Sequence, residues 1–292
     1  MRYARPISLA VLVTAAVLAA GCESSPPPRE PIRLRPMPAG AEPGQVRAFQ
    51  VRFVFLQHRV RPDAPVEDIW RLLGTTSIPY EKQMLWETND LRMGEGARLA
   101  AERMNELLAQ TPDREARVTI LTVREDQDFL ISVGGERETL DLIWTDAAGR
   151  LVGRRFEKAI TRFRCVCRND AEVPGGVRIA LVPEVTYGEE RLRWVRGEGA
   201  MMPRTALAAF DVMDLAAEVL LEPGRLLVLG GRRSSDVSLG GAMFHEKRGP
   251  DLWVQTVVVT AEPVRPGQIP EGGTVPFLLP PGATPKMPAK AP

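Results

Sequence analysis

Residues 117–123 run Arg-Val-Thr-Ile-Leu-Thr-Val, and from this stretch onward the apolar residues recur with a period of two. Alternation of this kind is typical of half-buried β-strands. Polar turn sequences at 146–149 and 187–190 favour hairpins over crossover connections. We therefore expect the second half of the chain to be a mostly antiparallel β domain. Its further predicted strands are residues 129–133, 139–144, 163–167, 177–186 and 191–195.

The segment before residue 113 mixes two periodicities. Residues 48–60 alternate apolar and polar side chains and predict a strand. A short amphipathic helix is predicted from Pro65 to about Gly74, and a second helix over 97–110. Residues 46–112 therefore form a small α/β unit, and the predicted fold class is α+β.

Residues 210–221 are ambiguous. Their Ala and Leu content favours a helix, but 222–225 is a tight-turn sequence, Glu-Pro-Gly-Arg, directly before the apolar run 226–229. We predict two antiparallel strands joined by this turn and keep the helix as the alternative. A last strand is predicted over 252–261, within a β domain that extends over 113–264.

The N-terminus carries a targeting signal. A short apolar run follows two arginines and ends in Leu-Ala-Ala-Gly21-Cys22, which is typical of a bacterial lipoprotein signal. We predict cleavage between Gly21 and Cys22, removal of residues 1–21 and acylation of Cys22, which would attach the protein to the membrane through lipid. The alternatives are an ordinary cleaved secretory signal and a membrane span. The run of roughly 14 residues is shorter than the ~20 that a spanning helix needs.

Proline-rich segments flank the globular part. Seven prolines occur between residues 23 and 45, and nine between 262 and 292. Such composition favours extended polyproline-like structure, so we interpret 22–45 as a tether and 265–292 as a tail. Glu23, rather than Asp, follows Cys22, which favours the outer membrane as the destination, with the domain facing the periplasm.

Charge and composition exclude several function classes. The chain has 38 basic and 37 acidic residues, and no basic block is accompanied by aromatic residues, so no nucleic-acid partner is predicted. The pair Gly94 and Gly96 precedes a predicted helix but lacks the third glycine of a phosphate-binding loop. We interpret it as a helix start.

The thiols and histidines do not form a recognisable reactive site. Cys165 and Cys167 share one face of a predicted strand, but zinc needs four ligands and only His58 and His245 could add to them. Two small buried side chains are the simpler interpretation. No nucleophile elbow or carboxylate at a telling spacing accompanies either histidine. We expect no metal, no cofactor and no enzymatic activity.

Four stretches of the β half resemble one known family in order and spacing. They are 181–186, containing Pro183; 222–231, containing Gly224, Gly230 and Gly231; 239–244, containing Gly240 and Phe244; and 253–264, containing Pro263. These stretches are similar to the C-terminal domain of secretins, the outer-membrane channel proteins of type II and type III secretion. The similar motifs are Val-Pro-x-Val-Ser, an apolar run closing on Gly-Gly, Leu-Gly-x-Leu-Phe and a terminal Thr-Pro.

The resemblance implies a non-catalytic envelope protein whose strand edges pair with neighbouring copies or with other protein partners. A first hypothesis is therefore a lipid-anchored component or accessory of a secretin-like assembly. A second is a lipoprotein scaffold or binding module without a channel. Arginines that flank the predicted strands, among them Arg154, Arg155 and Arg164, could instead keep a monomer from pairing. Long hairpins would favour the first hypothesis, whereas the sequence pattern predicts only short strands.

Overall fold

A computed structural model describes residues 48–60, 66–111, 113–196, 201–232 and 235–264. The predicted signal, the tether and the tail lie outside these residues. The first described elements are β1 (Ala48–Arg59), α1 (Val66–Arg71), α2 (Tyr80–Thr88), β2 (Leu91–Gly96) and α3 (Arg98–Ala109).

Long strands dominate the rest of the chain. They are β3 (Arg114–Arg124), β4 (Asp128–Thr145), β5 (Leu151–Asn169), β6 (Val177–Arg196), β7 (Met201–Asp211), β8 (Ala217–Leu221) and β9 (Leu226–Gly231). A 3-10 turn (Met213–Leu215) lies between β7 and β8. The described chain ends with α4 (Leu239–Phe244), β10 (His245–Arg248) and β11 (Asp251–Val264).

The strands form two antiparallel sheets. Sheet one has the order β2-β9-β11-β1-β3, with β10 added beside β11. Sheet two has the order β4-β5-β6-β7, with β8 beside the first part of β6. Strand β1 lies inside sheet one, next to the edge strand β3, and pairs with both β11 and β3. Residues 46–112 and 113–264 therefore contribute to the same sheet.

Sheet one is covered on both faces. Phe49, Val51 and Phe53 belong to a large core that sheet one shares with residues of sheet two. Val54 and Leu56 belong to a second core with residues of α1 and α3. The alternation of buried and half-buried side chains in β1 is lost at Phe53–Leu56. There the face of sheet one that points away from sheet two is covered by helices, so both faces are apolar. None of the described helices is long and apolar enough to span a bilayer.

The predicted fold class, α+β with mostly antiparallel strands, is confirmed. The two predicted helices are present as α1 and α3, but helix α2 was not predicted. The interpretation of Gly94 and Gly96 as a helix start is wrong, because both lie in strand β2. Glycine is required at Gly94 because α1 is followed by Leu73, whose Cβ would lie 2.9 Å from a Cβ at that position.

Two further expectations are wrong. Residues 187–190 are not a turn: β6 continues through them, with a shift in its pairing to β7 between Tyr187 and Arg191. The strands β8 and β9 both exist, but they do not pair with each other. The first pairs with β6 in sheet two and the second with β2 and β11 in sheet one. The turn between them therefore connects the two sheets.

Candidate functional site

The predicted site residues fall in several places. Gly21 and Cys22 lie outside the described residues, so cleavage and acylation stay predictions. Four of the seven residues of the secretin-like motifs meet where β9, α4 and the start of β2 converge: Gly230, Gly231, Gly240 and Phe244. We call the backbone contact of Asn89, Asp90, Gly231 and Gly240 the glycine junction. Pro183, Gly224 and Pro263 lie elsewhere.

Gly240 has no room for a side chain. A Cβ at this position would lie 1.9 Å from the carbonyl oxygen of Asp90 and 2.9 Å from the amide nitrogen of Leu91. The Gly240 N–H donates to the carbonyl of Asn89 at 3.0 Å, and the Arg232 N–H donates to that of Asp90 at 2.8 Å. The first turn of α4 is therefore bonded directly to the backbone between α2 and β2.

The double glycine at the end of β9 admits two close neighbours. A Cβ at Gly230 would lie 2.6 Å from Cζ2 of Trp70 in α1. A Cβ at Gly231 would lie 3.1 Å from the Gly240 carbonyl oxygen and 3.1 Å from Nε2 of His245. The first glycine thus lets a helix pack on sheet one, and the second lets α4 approach it.

Asn89 ties this junction to sheet two. Its Oδ1 accepts the Thr145 N–H at 2.7 Å, and its Nδ2 donates to the carbonyls of Thr145 at 3.0 Å and Leu85 at 2.8 Å. Asn89 is buried, and Thr145 is the last residue of β4. Sequence analysis missed it, because the preceding helix was not predicted and its partner Thr145 lies 56 positions away in the chain.

Helix α4 lies between the sheets. Phe244 packs on Phe163 with ring centroids 6.2 Å apart, and Phe163 stacks on Trp86 of α2 at 6.0 Å. The guanidinium of Arg137 in β4 donates to the carbonyl of Ala242 at 3.1 Å. Aromatic packing and a charge-assisted hydrogen bond therefore attach this short helix to sheet two.

Pro183 lies where β6 changes partners. Strand β8 pairs with residues 177–181 of β6, and β7 pairs with it from Glu184 onward. The Pro183 carbonyl accepts the Val212 N–H at 2.9 Å. Proline in a central strand normally removes a ladder bond, but here its missing N–H falls at the break between two partner strands.

The other two motif residues have local roles. Gly224 lies in the turn after β8 with a φ of +76°, a left-handed conformation that glycine adopts most easily. Pro263 is exposed near the end of β11, opposite Phe49 of β1. Neither lies near the glycine junction in the strand register.

A buried ion network crosses sheet two. Arg164 of β5 is 1% exposed, and its Nη2 donates to Oδ2 of Asp211 in β7 at 2.9 Å. Carboxylates of Asp128 in β4 and Glu184 in β6 lie 3.7 and 3.8 Å from its guanidinium. Burying charges is tolerated only when they are paired. The alternative in which Arg164 protects an exposed strand from pairing does not hold, because this side chain is buried and links the four strands β4 to β7.

The thiols and histidines are buried. Burial raises the pKa of Cys165 well above its ordinary value and that of Cys167 to about 12, so both thiols stay protonated and unreactive at neutral pH. Burial lowers the pKa of His245, and His58 is buried in β1. In the part of the chain that the structure describes, no group of three or more His, Cys, Asp or Glu is placed to bind a metal.

Sheet two ends in an open edge at β4. The Ile143 N–H points away from β5 and donates to the Val237 carbonyl at 2.7 Å. Alternate residues of an antiparallel strand direct both backbone groups to the same side. Asp141 and Thr139 therefore direct theirs outward as well, and no described strand pairs with them.

The opposite edge of sheet two is β7. Val212, just after this strand, directs its N–H toward Pro183 of β6. The alternation therefore places the backbone groups of Asp211 and Ala209 on the side away from β6. Among the described strands, none pairs with this side.

Comparison with known proteins finds neither a matching protein family nor a matching curated protein. Solved structures to which the chain is similar include three secretins. The InvG secretin domain of the Salmonella SPI-1 injectisome is 11% identical, with a TM-score of 0.23, over 78% of this chain and 66% of that one. The competence pilus secretin PilQ of V. cholerae is 13% identical, with a TM-score of 0.20, over 77% of this chain and 62% of that one. A chain of the AspS–GspD pilotin–secretin complex of ETEC is 12% identical, with a TM-score of 0.25, over 77% of this chain and 51% of that one. The chain thus spans about half to two thirds of these solved chains.

Proposed function

We propose that this chain is a lipid-anchored, non-catalytic subunit of a secretin-like assembly in the cell envelope, and that its copies join through sheet two. The observation that carries the proposal is the pair of open edges, β4 and β7, on opposite sides of that sheet. Open strand edges are templates for pairing with another chain.

The strand directions support head-to-tail pairing. The four long strands of sheet two are antiparallel in sequence order, so β4 and β7 run in opposite directions. A second copy in the same orientation would place its β4 antiparallel to β7 of the first. Because two different edges meet, the contact repeats from copy to copy, and it closes into a ring when the rotation permits.

The strand lengths also support this proposal. Strands β4, β5 and β6 have 18, 19 and 20 residues, about three times the usual 5–6. Such hairpins are longer than the sequence pattern predicted. A long edge offers many backbone hydrogen bonds to a neighbouring copy.

Attachment through Cys22 completes the proposal and places the protein at the outer membrane, facing the periplasm. The support is the lipoprotein signal in the sequence. Replacing Cys22 by serine is expected to abolish acylation, so the mature chain should lose its acyl mass and its partition into a detergent phase. A Cys22→Ser protein that is still acylated would overturn the anchor.

A second candidate function is a scaffold or binding module without a channel. One observation favours it: the segment at Val237 and Ser238 already pairs with β4 at Ile143 and covers the middle of that edge. Covering an edge with a loop and placing charges near it are common protections against pairing. The exposed pair Arg155 and Asp141 is an example of such charges.

The mass of the mature, detergent-extracted lipoprotein separates the two candidates. We expect size exclusion with light scattering to give a high-mass species, and negative-stain images to show closed rings. A monomer or dimer at all concentrations would contradict self-assembly and favour the scaffold.

An edge variant tests which strand carries the contact. Thr139→Pro removes an outward N–H of β4 without touching the β4–β5 ladder, and proline is tolerated at such positions. Thr139→Val keeps the N–H and is the matched control. We expect only the proline variant to lose the high-mass species while its melting curve matches the control. Equal masses for both variants would exclude this edge.

A further inference from the structure

A cleft of about 230 Å³ lies along the outer edge of β2, the last strand of sheet one. Trp70 and Leu73 line one side of it, and Gln83 and Trp86 of α2 line the other. Small-molecule sites generally begin at about 300 Å³. This cleft is therefore suited to one or two side chains of a peptide.

The wall that β2 contributes carries open backbone groups. Gly74 and Glu95 exchange two hydrogen bonds across this edge, with N–O distances of 2.8 and 3.3 Å. By the alternation of antiparallel strands, Met93 and Leu91 direct their N–H and carbonyl groups to the same side. Leu91 is 0% exposed, so Met93 is the residue whose backbone groups an incoming strand can reach. No described strand continues the bridge past Glu95. Unpaired backbone groups at a sheet edge are a template for pairing with another segment.

The charges at the cleft are engaged with their neighbours. The guanidinium of Arg92 lies 5.2 Å from the ring centroid of Trp70. Glu87 accepts a hydrogen bond from Arg232 at 2.6 Å. What the cleft offers to an incoming chain is therefore an apolar lining beside open backbone, which favours an uncharged, extended segment.

One segment of this chain has that composition. Residues 275–280 run Val-Pro-Phe-Leu-Leu-Pro and form the longest apolar stretch after β11. Pro276 and Pro280 are four residues apart, so in a strand their backbone groups point to the same edge. Val275, Phe277 and Leu279 then direct their backbone groups to the opposite side, where a ladder with β2 loses no donor.

The proline-rich segment before β1 fits less well. Its apolar stretch, residues 31–36, runs Pro-Ile-Arg-Leu-Arg-Pro. These two prolines are five residues apart, so one of them would face the ladder and remove a bond. The stretch also carries two arginines.

The tail is long enough to reach the cleft. Arg92 of β2 and Thr256 of β11 lie at the same level of sheet one, through Gly230 of β9. From Thr256 to Val264 the chain advances about 26 Å, and three strand spacings add about 14 Å across the sheet, so the span is roughly 30 Å. Residues 265–274 reach about 33 Å when extended.

We propose that residues 275–280 add a strand to the edge of β2 and place their apolar side chains in the Trp70–Trp86 cleft. This is recognition by strand addition. The prolines would then lie on the new outer edge and stop further pairing there. The inference does not depend on assembly through sheet two, since it concerns the other sheet.

Hydrogen exchange of the full-length mature lipoprotein, measured by mass spectrometry in detergent, tests the proposal. We expect the amide of Met93, which is only half-buried, to be protected, and Phe277→Asp to accelerate its exchange by about tenfold or more. Met287→Asp, a matched change elsewhere in the tail, should leave the rate unchanged. A Met93 amide that exchanges fast in the unmodified protein, or at the same rate in both variants, would overturn the proposal.

A peptide and a third variant identify the occupant. A synthetic peptide of residues 273–281, added to the Phe277→Asp protein, should restore protection, and the same peptide with aspartate at 277 should not. If Leu34→Asp accelerates exchange and Phe277→Asp does not, the N-terminal segment occupies the edge and the proposal is wrong. All three substitutions lie outside the described fold, and matching melting curves would confirm that it is intact.

Discussion

Replacing Arg164 by methionine is expected to destabilise the protein by about 3–5 kcal/mol, the usual effect of removing one partner from a buried ion pair. The side chains of Arg164, Glu184 and Asp211 are 1%, 0% and 8% exposed. The substitution therefore leaves two buried carboxylates without their cation. Methionine keeps an unbranched apolar chain in the space of the arginine stem, so most of the change comes from charge rather than packing.

Arg155→Met is the matched control on the same strand. Arg155 donates to Asp141 at 2.6 and 2.9 Å, but the two side chains are 68% and 50% exposed. Exposed pairs contribute about 0–1 kcal/mol. The difference between the two variants therefore isolates the effect of burial.

Urea unfolding of the mature lipoprotein in a mild detergent, followed by tryptophan fluorescence, measures both variants. For a domain of this size, about 2–4 °C per kcal/mol translates the loss into a melting temperature roughly 6–20 °C lower. Adding Glu184→Gln and Asp211→Asn to Arg164→Met should recover part of the stability, because the orphaned charges are removed. If Arg164→Met lies within about 1 kcal/mol of Arg155→Met, a limit set by the exposed-pair range, the network does not stabilise sheet two in this way.

Three further predictions follow from buried groups. Gly240→Ala would place a Cβ 1.9 Å from a backbone carbonyl oxygen, whereas a Cβ at Gly153 meets nothing within 4 Å. The first change should lower the free energy of unfolding by about 3 kcal/mol or more, seen as a lower urea midpoint, and Gly153→Ala should leave that midpoint nearly unchanged. Burial raises the pKa of Cys167 to about 12 and that of Cys165 well above its ordinary value, so iodoacetamide at about pH 8 should modify neither thiol unless urea is present, and native modification detected by mass spectrometry would contradict this. Burial lowers the pKa of His245, so the unfolded chain binds its proton first as the pH falls below about 6.5 and stability should decline there. Urea midpoints measured from pH 8 to pH 5 should show this decline, and His245→Gln should flatten it.

Local signals in the sequence predicted local structure well. Phe49, Val51 and Phe53 lie in the core between the sheets, as their alternation indicated. The predicted helices appear as α1 and α3 with ends shifted by a few residues. These signals succeed because side-chain periodicity and capping residues act within one or two turns of chain.

Long-range pairing could not be predicted from the same signals. Tyr187 and Gly188 have turn-forming composition, yet β6 continues through them because β7 is present to pair with both sides of the irregularity. The strands on either side of Gly224 join different sheets, since their partners lie far away in the chain. Asn89 was missed for a related reason: its hydrogen bonds to Thr145 join residues 56 positions apart.

The glycine junction explains why the two sheets act as one unit. Helix α4 is bonded to the backbone of Asn89 through Gly240 and to β4 through Arg137. Asn89 itself holds the end of β4. Any displacement of sheet one against sheet two must break both sets of bonds, so the orientation of the β4 edge depends on the contact that Gly240 permits. In the proposed assembly, a side chain at Gly240 would therefore disturb pairing between copies without altering any residue of the pairing edge. Gly231 and Gly240 of the secretin-like motifs thus support the edge from within the subunit, which is consistent with their burial.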